Sequence, residues 1–297
     1  LAERAEAYAL KEIPPGCLVL TGGIDVQGDR LELKLLGHGR GRRMWILDYV
    51  VLPGNPPRML EAAGRGEGPL ADYLVTTFAN RFGRELRIEA TAIDTGHHTQ
   101  DVYNFVRAAR QLPAARRPRR LMAVKGANAP GKPVLPGRPQ PQDVNWRGKV
   151  IRRGVMLWMV GTDTAKSMLF DRLKSDAELE PAARLVHFSK DLPEDYYLQL
   201  TAERFDPEKN KWVKLRNRRN EAIDLWVYAT AAAYHPEVRV HAMRPRDWQY
   251  LEALLEPPDA KPAEPGAPAP ETPPAPADKS RRRVISKGVG FVNRWKP

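Results

Sequence analysis

Apolar and polar positions alternate in short blocks along the first third of this chain. Residues 18–26, Leu18-Val19-Leu20-Thr21-Gly22-Gly23-Ile24-Asp25-Val26, form an apolar segment of strand length that closes on an acid set between two branched aliphatics. Residues 30–39 and 43–52 repeat the strand pattern, and the turns Gly28-Asp29 and Gly39-Arg40-Gly41 are short enough to join the three segments as hairpins. After a Pro/Gly-rich loop at 53–68, the pattern predicts a helix at 70–82, a strand at 88–94 and a helix at 99–110 with Val102, Phe105 and Val106 inward. A short strand at 121–124 and a long aperiodic excursion at 127–146 follow. The remaining pattern predicts strands at 150–161 and 185–188, helices at 165–174 and 193–201, and an edge hairpin of Arg204 with 212–215. Residues 217–228 and 244–255 read as helices, the second with Trp248, Leu251 and Leu255 in one stripe. Three antiparallel strands, then alternating helices and strands, predict an α/β fold with a mixed sheet flanked by helices. Residues 1–15 read as a short amphipathic helix and an extended stretch through Pro14 and Pro15.

The strand-end acids change this picture from architecture to chemistry. A carboxylate buried without a partner is disfavoured by several kcal/mol or more, so the fold must supply hydrogen bonds, a cation or a metal. The alternative for Asp25 is a strand that ends at a solvated acid before a turn. The same pattern recurs in Ile88-Glu89-Ala90-Thr91-Ala92-Ile93-Asp94-Thr95-Gly96, and a third set, Asn220, Glu221 and Asp224, recurs at helical spacing. Two strand-end acids and one helix acid are what a pair of divalent ions about 3.5–4 Å apart requires. Without metal, each like-charged pair at 4 Å costs about 4 kcal/mol at an effective dielectric near 20. The expected cofactors are therefore two Mg²⁺ or Mn²⁺ ions, with Asp25 bridging them, Asp94 on one and Asp224 on the other. Glu221, one turn before Asp224, is either a further ligand or a group that orients a metal-bound water. His97 and His98 either move protons and hold a phosphate or simply open a helix. Lys125, at a strand end, is either a phosphate contact or a surface lysine. Asp163 and Thr164 read as helix caps, and His187 as a satisfied strand residue.

Composition adds a partner. The chain of 297 residues carries a formal net charge of +12, which favours a polyanion, nucleic acid first, over a merely soluble basic surface. The run Arg116, Arg117, Arg119, Arg120 is either a DNA-backbone contact or a solvated loop. Cys17 alone allows no internal disulfide and fits a reducing, cytosolic setting. No apolar run reaches the ~18–20 residues of a membrane span, and no secretion signal opens the chain. Many of the 28 prolines gather at 257–280, a Pro/Ala-rich linker predicted to be a disordered tether. A basic, aromatic tail at 281–297 is suited to folding onto a partner.

The segments "LTGGIDVQGDRLEL", "AIDTGHHTQDVYNF" and "RRNEAIDLWVYATAA" resemble the nuclease half of lambda-type phage terminase large subunits. The resemblance runs from about residue 18 to about residue 236. It implies a ribonuclease-H-like endonuclease domain at 18–256 that cuts concatemeric double-stranded viral DNA during genome packaging and leaves 5′-phosphate and 3′-hydroxyl ends. It implies phage assembly in the host cytoplasm, with DNA, an ATPase domain and a small subunit as partners. The portal ring or DNA is implied for the tail. The family carries an N-terminal ATPase motor, and this chain has no G-x-x-x-x-G-K-[ST] loop. Residues 1–17 are accordingly expected to be a connector from such a motor, and the chain the cutting part of a longer protein. Two other readings stay open, a resolvase- or transposase-like enzyme of the same fold and a non-catalytic module that docks DNA and portal.

Overall fold

The structure, a computed structural model, describes residues 1–127 and 129–258. The chain opens with β1 (Ala5–Glu6), followed by the three-strand meander β2 (Val19–Val26), β3 (Arg30–His38) and β4 (Met44–Pro53). Next come α1 (Pro56–Gly64), α2 (Gly68–Val75), the short β5 (Thr77–Ala79) and β6 (Glu85–Asp94). The α3 helix (Thr99–Ala109) leads to β7 (Leu121–Gly126), the hairpin β8 (Gln140–Trp146) and β9 (Lys149–Val160), and α4 (Thr162–Ser175). The last part holds β10 (Val186–Ser189), α5 (Glu194–Leu200), the hairpin β11 (Glu203–Asp206) and β12 (Lys211–Lys214), α6 (Glu221–Ala233) and α7 (Pro245–Leu255).

One mixed sheet has the order β1-β10-β4-β3-β2-β6-β7-β9-β8, with β5 against β6. The meander is antiparallel, while β6, β7 and β9 continue it parallel to β2. This is the mixed sheet flanked by helices that the sequence predicts. Helices cover both faces. Leu60, Leu70, Leu74, Val102 and Phe105 pack with Ile24, Leu33 and Ile93 on one side. On the other side Ile223, Trp226 and Ala229 pack with Leu20, Leu35, Ala90 and Ala92.

The side-chain period of two fixes where the acids point. The register irregularity between β2 and β6 lies in β6, where Glu89 is the extra residue, and β2 keeps its alternation, so that Thr21 and Gly23 face α6 while Ile24 and Val26 face the first core. Asp25, two residues beyond Gly23, shares that face. Ala90 and Ala92 of β6 lie on the α6 side and Ile93 on the other, so Asp94 also turns towards α6. A Cβ on Gly23 would lie 2.4 Å from the Leu225 carbonyl oxygen and 2.8 Å from the Ala229 nitrogen. Only a glycine admits the helix this close.

Four expectations change. Within residues 1–15, Ala5–Glu6 form β1 on the sheet edge beside β10, and the predicted N-terminal helix shrinks to a single 3₁₀ turn at Ala2–Arg4. The proline-rich loop holds α1, because Pro56 and Pro57 open it and the Asn55 side chain accepts from the Arg58 backbone N–H. The helix predicted to reach 82 ends at Val75, and β5 follows. Part of the excursion at 127–146 is the edge strand β8. The predicted linker and tail lie outside the described residues from 259 onward.

The N-terminal segment is tied down by a buried acid. Asp176 accepts from the backbone N–H groups of Leu185 and Val186, both at 2.8 Å, and from Arg4 Nη2 at 3.0 Å. Its removal strands three donors, so Asp176→Ala should cost about 3–5 kcal/mol in urea unfolding. Arg4→Ala, which leaves both backbone contacts, should cost less.

Candidate active site

Ile24 pairs with Ile93 in the parallel β2–β6 register, so Asp25 and Asp94 stand level at the C-terminal ends of neighbouring strands. Crevices at such ends are where open α/β sheets bind ligands. The first turn of α6 brings Asp224 across them. Tyr228, one turn further on the same helix face, reaches Asp94 with its hydroxyl. The structure thus draws Asp25, Asp94 and Asp224 together from three elements.

Each acid is held differently. Asp25 is 5% exposed and accepts from Gln27 Nε2 at 2.6 Å, with no salt bridge to a cation among the described residues. Burial first, then the charges of Asp224 and Asp94, push its pKa up to about 7. Burial also raises Asp94, opposed by the Gly96 backbone N–H, which donates at 2.8 Å, and by the Tyr228 hydroxyl. A Cβ on Gly96 would fall 2.7 Å from Asp94 Oδ2, so this residue must be small for the backbone to approach the carboxylate. Asp224 is raised by burial and pulled back by Lys166, whose Nζ lies 3.0 Å away. Lys166 also donates to both oxygens of Glu203, at 2.8 and 2.9 Å. Burial works against that lysine's charge, but Asp224 and Glu203 outweigh it and raise its pKa. Asn220 Nδ2 donates to Glu203 at 2.6 Å and to Asp224 at 3.0 Å, which closes a four-residue cluster.

Glu221 stands apart from this group. Arg30 and Arg219 each lie 3.3 Å from one of its oxygens. The same arginines clasp the buried Glu32 at 2.6 Å, and Tyr49 donates to that acid at 2.6 Å. This network fastens the start of α6 to β3. Lys34, buried on β3, donates to the Ala222 carbonyl beneath the helix, and its burial lowers its pKa well below the usual value. His97 is exposed just past Asp94, close enough for its charge to favour the carboxylate. His98 caps α3 in the left-handed region at φ 49°. Lys125 is exposed at the end of β7, one residue past Val124, the register partner of Asp94. Asp163 lies inside the first turn of α4 and accepts from the Trp212 backbone N–H at 2.9 Å, so it ties down the β11–β12 hairpin and caps nothing. His187 pairs with Glu6 at 2.9 Å and stacks on Trp45.

The donor set is chemically suited to hard divalent ions, being three carboxylates of which, among the described residues, only Asp224 stands in a salt bridge. Among the described residues no three His, Cys, Asp or Glu side chains stand in a ready-made metal cage. Asp224 is engaged by Lys166 in this arrangement.

Sequence reasoning missed Tyr228, Lys166 and Glu203. Tyr228 had a signal, its i+4 spacing from Asp224, which the apolar stripe of α6 concealed. Tyr228→Phe should leave the fold intact and slow any reaction that depends on Asp94 by about tenfold, read as a lower kcat at unchanged melting temperature.

Residues 1–248 match the family described as terminase large subunit gpA, endonuclease domain. The terminase large subunit of Escherichia phage lambda is 32% identical over 275 residues, covering 86% of this chain and 37% of that protein. The terminase large subunit of Enterobacteria phage P21 is 29% identical over 255 residues, covering 82% of this chain and 35% of its own length. The chain thus spans little more than a third of either relative. No solved structure matches it. On the match across most of its length, the chain belongs to the family of terminase large-subunit endonuclease domains.

Proposed function

We propose that this chain is a divalent-metal-dependent DNA endonuclease of ribonuclease-H-like fold, the cutting part of a machine that packages concatemeric viral DNA. The observation that supports the reading most is the meeting of Asp25, Asp94 and Asp224 at one crevice, where burial and mutual repulsion push Asp25 up to about 7. Such a group of acids is held at a cost in stability and suits a bound cation. Two Mg²⁺ or Mn²⁺ ions, held by Asp25, Asp94 and Asp224, would activate a water and stabilise the leaving 3′ oxygen.

The chain's own residues prepare the site. Gln27 orients Asp25, the Gly96 N–H and the Tyr228 hydroxyl orient Asp94, and Lys166 with Asn220 holds Asp224. Lys125 and His97 flank the strand ends and are suited to a scissile phosphate as point charges. Glu221 fits best as a helix anchor, because both its oxygens are engaged by arginines. The wider reading carries the packaging partners with it: an ATPase domain, a small subunit and a portal ring, assembled in the host cytoplasm.

The test is a 5′-labelled duplex incubated with the chain in Mg²⁺, Mn²⁺, Ca²⁺ or EDTA. Fragments with 5′-phosphate and 3′-hydroxyl ends in Mg²⁺ or Mn²⁺, absent in EDTA, support the reading. Strand joining or a preference for branched junctions would move it to a strand transferase or resolvase, and an intact duplex under every metal to a docking module.

A further inference from the structure

The far end of the sheet carries a second charged feature that the catalytic reading leaves unused. A cavity of about 930 Å³ opens at the N-terminal ends of β6 and β7 and is lined by Arg87, Arg110, Arg117, Arg119, Arg120 and Glu237. The arginines fall into two groups. Arg119 and Arg120 pair with Glu89, and Arg120 also pairs with Glu237 at 2.9 Å. Arg87, Arg110 and Arg117 have no carboxylate partner among the described residues, and all three are exposed. Arg116, their neighbour in sequence, is not one of them, because it is spent on Asp72 at 2.7 Å and on the Gly66 carbonyl. The basic run of the sequence is thereby sorted into a structural tie, two internally paired guanidinium groups and one free one. Arg110, six residues before the run, and Arg87, on β6, add two more.

We propose that this pocket is a second DNA-backbone site, distinct from the crevice of the acids. Asp94 lies seven residues after Arg87 on β6, which at ~3.3 Å per residue puts the two about 23 Å apart along the strand. A phosphate held at the arginines is thus remote from the one being cut, and the site grips duplex without touching the reaction. Free guanidinium groups on an open rim match phosphate oxygens bidentately. A protein partner would be expected to seek an exposed apolar anchor there. Among the described residues the large exposed hydrophobics are Leu1, Val51, Val150, Leu179, Leu198, Phe205 and Tyr250, and none of them lines this cavity. Leu74, Ile88 and Ala109, which do line it, are buried in the core. The net charge of +12 points the same way.

The proposal rests on the DNA reading above but is read out by binding in EDTA, where no cleavage intervenes. Fluorescence anisotropy of a labelled 30-bp duplex is measured across a potassium chloride series for the wild type and for the triple variant R87Q/R110Q/R117Q. Three lost phosphate contacts should reduce the slope of log affinity against log salt by about 2–3. The variant should retain the wild-type melting curve, since none of the three side chains pairs with an acid. An unchanged slope, with affinity within twofold of wild type, overturns the proposal. So does a variant that keeps DNA binding while losing binding to polyglutamate, which would make the pocket a seat for acidic protein. A slope lost in the variant while the wild type binds DNA but never cuts it would uphold this site and remove the nuclease reading.

Discussion

Asp25→Asn should abolish DNA cleavage, by at least about 10³-fold, while making the metal-free chain more stable at pH 8. Both effects follow from one cause. Moving a carboxylate from its ordinary 3.8 up to about 7 corresponds to a penalty of about 4 kcal/mol when it is fully ionised. The sign is that of a raised acid. Between about pH 4 and pH 7 the folded chain holds a proton that the unfolded chain has released, so stability falls as pH rises through this window and levels off above it. An asparagine carries no charge, still accepts from Gln27 through its amide oxygen, and escapes the loss. We expect a gain of about 1–3 kcal/mol at pH 8, or roughly 3–8 °C in melting temperature for a domain of this size, and none at pH 4. Calorimetric scans at the two pH values in EDTA check it. A variant less stable than wild type at pH 8 would mean that Asp25 is a structural acid.

Gly23→Val should be the most damaging change outside the acids. The new Cβ would have to occupy space 2.4 Å from the Leu225 carbonyl and 2.8 Å from the Ala229 nitrogen, both backbone atoms of α6. A helix pinned at its start by Arg30, Arg219 and Lys34 can relieve that overlap only by lifting from β2. Overpacking of this kind costs about 1–3 kcal/mol where side chains can give, and more where, as here, they cannot. We expect a loss above about 3 kcal/mol in urea unfolding, with whatever folds being inactive because Asp224 no longer meets Asp25. Gly22→Ala is the control. Its Cβ would meet the Thr91 side chain first, at 3.0 Å, and should cost clearly less.

The two glycines show what the sequence discloses and what it conceals. The apolar run ending on Asp25 announces a buried strand and a costly acid. Nothing local says that Gly23 exists to admit a helix two hundred residues later. The meander was legible because each of its strands is a strand-length apolar or alternating segment and each turn is short. Helix α1 was not, because Pro56 and Pro57 read as loop punctuation although they suit the first turn of a helix. The edge strand β8 escaped because Gln140–Trp146 is mostly polar and its partner β9 supplies the pairing. The three acids stood out because each closes or opens a regular element. Their supporting groups did not, because Lys166 on α4 and Glu203 on β11 become neighbours of Asp224 only in the folded chain. Glu221 shows the converse error of proximity. It sits one helical turn from Asp224, yet it faces arginines on β3 and before α6.

The central claim is that Asp25, Asp94 and Asp224 hold the metal that cuts DNA. The most direct test is Mn²⁺ titration calorimetry on the wild type and on Asp25→Asn, Asp94→Asn and Asp224→Asn, paired with plasmid cleavage by the same preparations. The account predicts that wild type binds Mn²⁺ and linearises plasmid, and that each folded variant loses both together while keeping its DNA affinity in EDTA. Variants that still bind Mn²⁺ with wild-type stoichiometry and still cut would contradict it.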